Sequence, residues 1–208
     1  MQLIRWFLVS LFAVGAAALA QAQTEAPVKV VVPAFTFPAK AQVGGRTLVL
    51  NGAGTRYRAV FQVYQAGLYL EKPAHHFVDM QSPTEARRIQ LVMLREVKSD
   101  ELGKLFARGI QDNLDKASAA RLMSSMWRMS ELFTEYKRLD AGDQIILDWV
   151  PGKGTVVTVK GKVSGEPFKE PEFFNALAGI WLNAAPADWK LREAMLGVKA
   201  VETAEGSR

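Results

Sequence analysis

Apolar and polar positions alternate with period two over some stretches of this chain and recur every three to four residues over others. From Thr55 to Leu70 the alternation reads as one long strand, with Tyr57, Ala59, Phe61 and Val63 on one face and Arg56, Arg58, Val60, Gln62 and Tyr64 on the other. The first face is expected to be core; the second is mixed and suited to lining a cleft. Upstream, Gly44-Gly45 between Gln42-Val43 and Arg46 to Leu50 carries a two-residue hairpin signal, and Asn51-Gly52-Ala53-Gly54 separates it from the long strand. Ile89 to Leu94 suits a buried strand.

Beyond Ser99, a good helix N-cap, Leu102, Leu105, Phe106, Gly109, Ile110 and Leu114 recur at helical spacing. Leu122, Met126, Met129, Phe133 and Tyr136 repeat that spacing, so the middle of the chain is predicted helical and these stripes are read as core. Gln144 to Val150 and Thr155 to Val163 flank Pro151-Gly152-Lys153-Gly154 as a hairpin, with Val157, Val159 and Val163 on one face. Phe173, Phe174, Leu177, Ile180 and Trp181 mark another helix, and Asp188 to Leu196, closed by Gly197, a last one. Strands, then helices, then a hairpin, then helices describe an α+β fold with an antiparallel sheet.

The N-terminus changes the picture. Arg5 precedes an apolar run from Trp6 to Leu19, followed by small residues at Ala18, Ala20 and Ala22, the layout of a cleavable secretory leader. The run is short of the roughly 20 apolar residues that a spanning helix needs, so no membrane anchor is expected after cleavage. The predicted organisation is a leader at 1–22, an extended, proline-bearing arm at 23–41, one domain at 42–197 and a flexible tail at 198–208. An exported, periplasmic location follows. The formal charge of +5 is scattered rather than clustered, which argues against a nucleic-acid partner. With no cysteine, the chain has neither disulfides nor a thiol nucleophile.

Candidate chemistry is sparse. The two histidines, His75 and His76, lie beside Asp79, but adjacent residues of an extended chain point opposite ways, and catalytic zinc wants three converging ligands. No metal site is expected. There is no Gly-x-Ser-x-Gly elbow, and Gly52-Ala53-Gly54 lacks the helix and third glycine of a dinucleotide fingerprint, so no cofactor is expected. Asp140 and Asp143 read as turn formers. What remains is the strand bearing Arg56, Arg58 and Tyr64, where a guanidinium among apolar and aromatic neighbours can grip a carboxylate or enolate. Solvated arginines on an open sheet face are the plainer alternative.

The strings Leu50-Asn-Gly-Ala-Gly-Thr-Arg56 and Val63-Tyr-Gln-Ala-Gly-Leu-Tyr-Leu70 resemble two motifs of the chalcone isomerase family, in the same order. Similarity continues through Val97 to Asn113, Pro151 to Thr155 and Phe173 to Leu182, and is nearest to an exported bacterial branch. The resemblance implies an open-faced β-sandwich, a large antiparallel sheet covered by a helical layer with a ligand cleft between them. In the plant enzymes an arginine of the first motif steadies the phenolate during ring closure, and Arg56 matches it. The other plant positions do not carry over: they fall on Tyr64 and near Leu102, Gly109 and Ile180, and the last three supply no hydrogen-bond donor from a side chain. Ring closure depends on such positioned donors. The same family includes non-catalytic members that bind fatty acids through the retained arginine. The resemblance therefore implies an exported binder of a small amphipathic anion such as a fatty acid, with Arg56 and Tyr64 as ligand contacts. Two alternatives stand beside it: an isomerase or intramolecular lyase using Arg56 and Tyr64, and a structural or partner-binding envelope protein.

Overall fold

A computed structural model describes residues 35–198. The expected leader, the arm as far as residue 34 and the tail from residue 199 lie outside the described residues. Gly44 and Gly45, at φ 56° and 79°, form the foreseen hairpin loop between β1 (Lys40–Val43) and β2 (Arg46–Arg58). The predicted long strand is two strands, however: β2 turns at Ala59-Val60 into β3 (Phe61–Leu70). Ala59 makes that turn at φ 53°, a left-handed conformation in which glycine is the usual residue. Because the chain reverses there, Tyr57 and Phe61 lie at the exposed hairpin tip instead of in the core, 45% and 61% accessible. The face carrying Arg56 and Tyr64 is the one that turns toward the helices.

The sheet continues through β4 (Arg87–Met93), β7 (Gln144–Val150), β8 (Gly154–Val159) and β9 (Lys162–Val163), in the order β1-β2-β3-β4-β7-β8-β9, all antiparallel. The strand expected to run from Thr155 to Val163 is broken by a tight turn at Lys160-Gly161, at φ 53° and 77°, which leaves Val163 exposed on an edge. A small separate ladder pairs β5 (Val97–Lys98) with β6 (Arg138–Leu139). Helices α1 (Ser99–Gln111), α2 (Lys116–Arg121), α3 (Met123–Thr134), α4 (Pro171–Leu182) and α5 (Trp189–Met195) complete the described chain. Ser99 is the first helical residue of α1 rather than its cap; Lys98 occupies the cap position and makes no side-chain cap bond. Asp188 does cap α5, accepting from Leu191 N at 3.1 Å.

Period two sorts the sheet. Tyr64, Ala66, Leu68 and Leu70 of β3, Ile89, Leu91 and Met93 of β4, and Ile145, Leu147 and Trp149 of β7 meet the apolar stripes of the helices in one core. The opposite face carries a smaller cluster of Val43, Leu48, Tyr69 and Ala86, against which Phe37 of the arm packs. The glycines of the two family-like segments have separate reasons to lack a side chain. A Cβ on Gly52 would lie 2.0 Å from Ala194 O of α5, and one on Gly67 2.6 Å from the Phe37 ring on the other face. Sheet, helical layer and intervening core form the expected open-faced β-sandwich of α+β class.

Candidate functional site

Arg56 and Tyr64 are nearest neighbours. In the β2–β3 ladder they are register partners, close to the tip, with their side chains on the helix side of the sheet. The Arg56 guanidinium carbon lies 5.7 Å from the centroid of the Tyr64 ring. Both line a cavity of about 240 Å³ between sheet and helices, which is completed by α1, the C-terminal end of α4 and the loop that leads into α5. Leu102, Gly109 and Ile180, the positions to which the resemblance carried the remaining plant site, line the same cavity. The wall there is apolar. Gly109 packs closely here: a Cβ would lie 3.0 Å from the Ile180 side chain, which would have to give by a few tenths of an ångström. Arg58, by contrast, is exposed at the hairpin tip and takes no part.

The polar end of the cavity is underused by the protein itself. Arg56 is half-buried, and among the described residues its buried Nε has no hydrogen-bond partner. Its Nη2 reaches only a long 3.5 Å contact with Ala187 O, too weak to satisfy a cation. Tyr64 is buried and its hydroxyl oxygen accepts from Trp181 Nε1 at 2.8 Å. That bond orients the phenol and leaves its own O–H to donate. Burial pushes the Tyr64 hydroxyl up to about 12, against the opposing pull of Arg56. The phenol is thus protonated at neutral pH, and the site presents two convergent donors, one cationic, over an apolar lining. Arg108 and Asp112 add a charged pair, 3.6 Å apart and exposed.

The shift makes stability depend on pH in a defined sense. A tyrosine raised from 10.0 to about 12 keeps its proton longer when folded, so its contribution is complete below pH 10 and is lost as pH rises toward 12. Alkaline unfolding of the wild type is therefore expected to steepen over that range by about 2–3 kcal/mol relative to Tyr64→Phe. Arg87, lowered by burial to about 10, works in the opposite direction, but it is common to both proteins and cancels in the comparison. Parallel pH profiles for the two would show that Tyr64 is not buried as described.

Trp181 and Phe106 are the cavity residues that sequence reasoning left in the core. Their rings meet edge-on at 5.6 Å, and together with Tyr64 they line the cavity. A helical stripe looks the same whether it fills a core or floors a pocket, so no local signal marked them. A second hollow of about 420 Å³ is lined by groups including Asn113, Glu170, Asn175 and Asn183; the Asn113 amide donates to Gly109 O and Ala185 O. The lining of this hollow mixes these polar groups with Phe77, Leu114 and Leu122, and Arg56 is not part of it. His75 is spoken for structurally: its Nδ1 lies 2.8 Å from Leu196 O and fixes the loop after Pro73 to the end of α5. Asp143 accepts from Asp140 N at 2.7 Å, a turn contact. Among the described residues no helix is long and apolar enough to cross a membrane.

The comparisons with known proteins point the same way. A search of curated proteins finds no match to the sequence. Among solved structures, a fatty-acid binding protein of Arabidopsis thaliana superposes with a TM-score of 0.64 at 18% identity, covering 78% of this chain and 91% of that one. At that identity the likeness establishes the fold. The family model described as chalcone isomerase-like matches residues 29–197, a span that takes in both glycine-bearing segments, Arg56, Tyr64 and the helices around the cavity. On that match, carried by a sheet, a helical layer and a cleft of the same arrangement, the chain belongs to the chalcone isomerase-like family.

Proposed function

We propose that this protein binds, without transforming it, a small amphipathic anion whose carboxylate is held by Arg56 and Tyr64 and whose apolar part fills the cavity. The observation that carries this reading is the buried Nε of Arg56, without a partner among the described residues, in a cavity whose lining includes the apolar side chains of Leu102, Phe106, Ile180 and Trp181. A guanidinium and a protonated phenol make a two-pronged donor set for a carboxylate. They make a poor set for proton transfer at neutral pH, because Tyr64 titrates at about 12 and the other charged groups of the lining, Arg108 and Asp112, are paired with each other. The fold likeness to a fatty-acid binding protein supports the same class of ligand.

Cavity size narrows the class. About 240 Å³ lies below the usual range of ligand pockets, roughly 300–1,000 Å³. At about 30 Å³ per water-sized group it admits roughly eight such groups, a short or medium acyl chain rather than a long one. The leader-like pattern read from the sequence at 1–22 fits delivery to an extracytoplasmic compartment, close to a source of lipid-derived anions.

Native mass spectrometry of the purified protein is expected to show a co-purifying acyl anion that Arg56→Ala loses. Removing a charge-assisted contact of this kind costs about 1.5–3 kcal/mol, so titration with octanoate should weaken at least about tenfold. Unchanged retention in Arg56→Ala overturns the assignment, and turnover of a chalcone well above the uncatalysed rate overturns the non-catalytic reading.

A further inference from the structure

The tip of the β2–β3 hairpin carries side chains ill suited to a turn that faces only water. Val60 is 83% accessible, Phe61 61% and Tyr57 45%, and all three lie within five consecutive residues. Ala59 holds the turn at φ 53°. Of the other two-residue loops of the sheet, Gly44-Gly45 has glycine at both positions and Lys160-Gly161 at one, whereas Ala59-Val60 has none and adds exposed apolar surface to the cost of a side chain at positive φ. Arg58 and Arg95, both exposed, flank the tip, and the Arg95 guanidinium lies 5.7 Å from the centre of the Phe61 ring. Among the described residues neither arginine is in an ion pair.

The tip also adjoins the cavity. Only the rungs Tyr57–Gln62 and Arg58–Phe61 separate it from the Arg56–Tyr64 pair. Tyr57 N donates to Asp188 at 3.1 Å, which brings the start of α5, with Trp189 56% accessible, to the same edge.

We propose that this tip docks on an anionic lipid surface. Exposed aromatic and branched side chains beside unpaired arginines are the combination that settles at a bilayer interface: the rings lie at headgroup depth while the guanidinium groups reach lipid phosphates. The positive charge of the flanking arginines selects an anionic surface over a neutral one. Docked in this way, the tip holds the Arg56 cavity against a reservoir of amphipathic anions. The docking itself requires nothing of the cavity; only that last consequence rests on the ligand reading above.

The test is co-sedimentation of the purified protein with phosphatidylcholine–phosphatidylglycerol vesicles and with phosphatidylcholine vesicles. Binding is expected to the mixed vesicles, weaker to the neutral ones and reduced by salt. The double variant Val60→Asn/Phe61→Thr should lower partitioning at least about tenfold, and each of Arg58→Gln and Arg95→Gln about fivefold. Circular dichroism and octanoate affinity should be unchanged in all of these. Absence of binding to the mixed vesicles, or equal binding by the double variant, overturns the proposal. So does concentration-dependent self-association that the double variant abolishes, which would assign the tip to a second copy of the chain. A failure of the ligand reading looks different: Arg56→Ala would keep its octanoate affinity while vesicle binding stayed intact.

Discussion

Gly52→Ala is expected to destabilise the protein by about 3 kcal/mol or more, although it adds a single methyl group to a strand. A Cβ at this position would stand 2.0 Å from Ala194 O and 2.8 Å from Met195 O. Both are backbone atoms of α5, so no side-chain rotation relieves the clash and the helix itself must move. It is not free to do so. Leu191, Met195 and Leu196 are buried beneath it, and Asn51 Nδ2 donates to Met195 O at 2.8 Å. Lifting α5 exposes part of that apolar surface, at about 1.5–3 kcal/mol for each side chain fully uncovered. For a chain of this size the expected loss lowers the melting temperature by roughly 6–12 °C. Equilibrium unfolding in denaturant measures the change, and a loss below about 1 kcal/mol would show that α5 is not seated on β2. The same variant should also weaken octanoate binding, because Ala185, Pro186 and Ala187, in the loop that leads into α5, form one wall of the site.

Trp181→Ala is expected to cost about 3–5 kcal/mol and to change which ligand is retained. Trp181 is 1% accessible, donates to Tyr64 and packs edge-on against Phe106. Its removal deepens the cavity and frees the Tyr64 oxygen from its orienting donor. Stability should therefore fall while the acyl anions seen by native mass spectrometry shift to longer chains. Trp181→Phe separates the two effects: it keeps most of the packing, removes the N–H and should leave the chain-length preference near that of the wild type. If Trp181→Ala retains the same chain lengths as the wild type, Trp181 does not set the depth of the site.

The fold class was legible because much of its punctuation is chemical. Gly44-Gly45, Pro151-Gly152 and the Asp188 cap announce their turns and ends by residue type. The β2–β3 turn was not, since Arg58-Ala59-Val60-Phe61 contains no glycine, proline, asparagine or aspartate and the alternation runs through it unbroken. Arg56 and Tyr64 were accordingly placed on one face of one strand, roughly 26 Å apart at 3.3 Å per residue, whereas the reversal makes them partners. The two still face one cavity, because register partners on one side of a hairpin share a face just as alternate residues of one strand do. Gly52 could have been read correctly from local rules, as a glycine inside a strand where another backbone approaches, and Gly54 as one where side chains of a covering helix do. Trp181 could not, because its role depends on what faces it across the core.

The distance along the chain between the two sides of the cavity bears on when the protein becomes competent during synthesis. Arg56 and the Ala187 carbonyl opposite it are 131 residues apart, and the helix that fixes that wall ends at Met195. The sheet can assemble from β1 through β8 well before this segment leaves the ribosome. On the proposed ligand reading the site is complete only once this last helix has folded, so a chain that lacks the segment ending at Met195 would lack one wall of it.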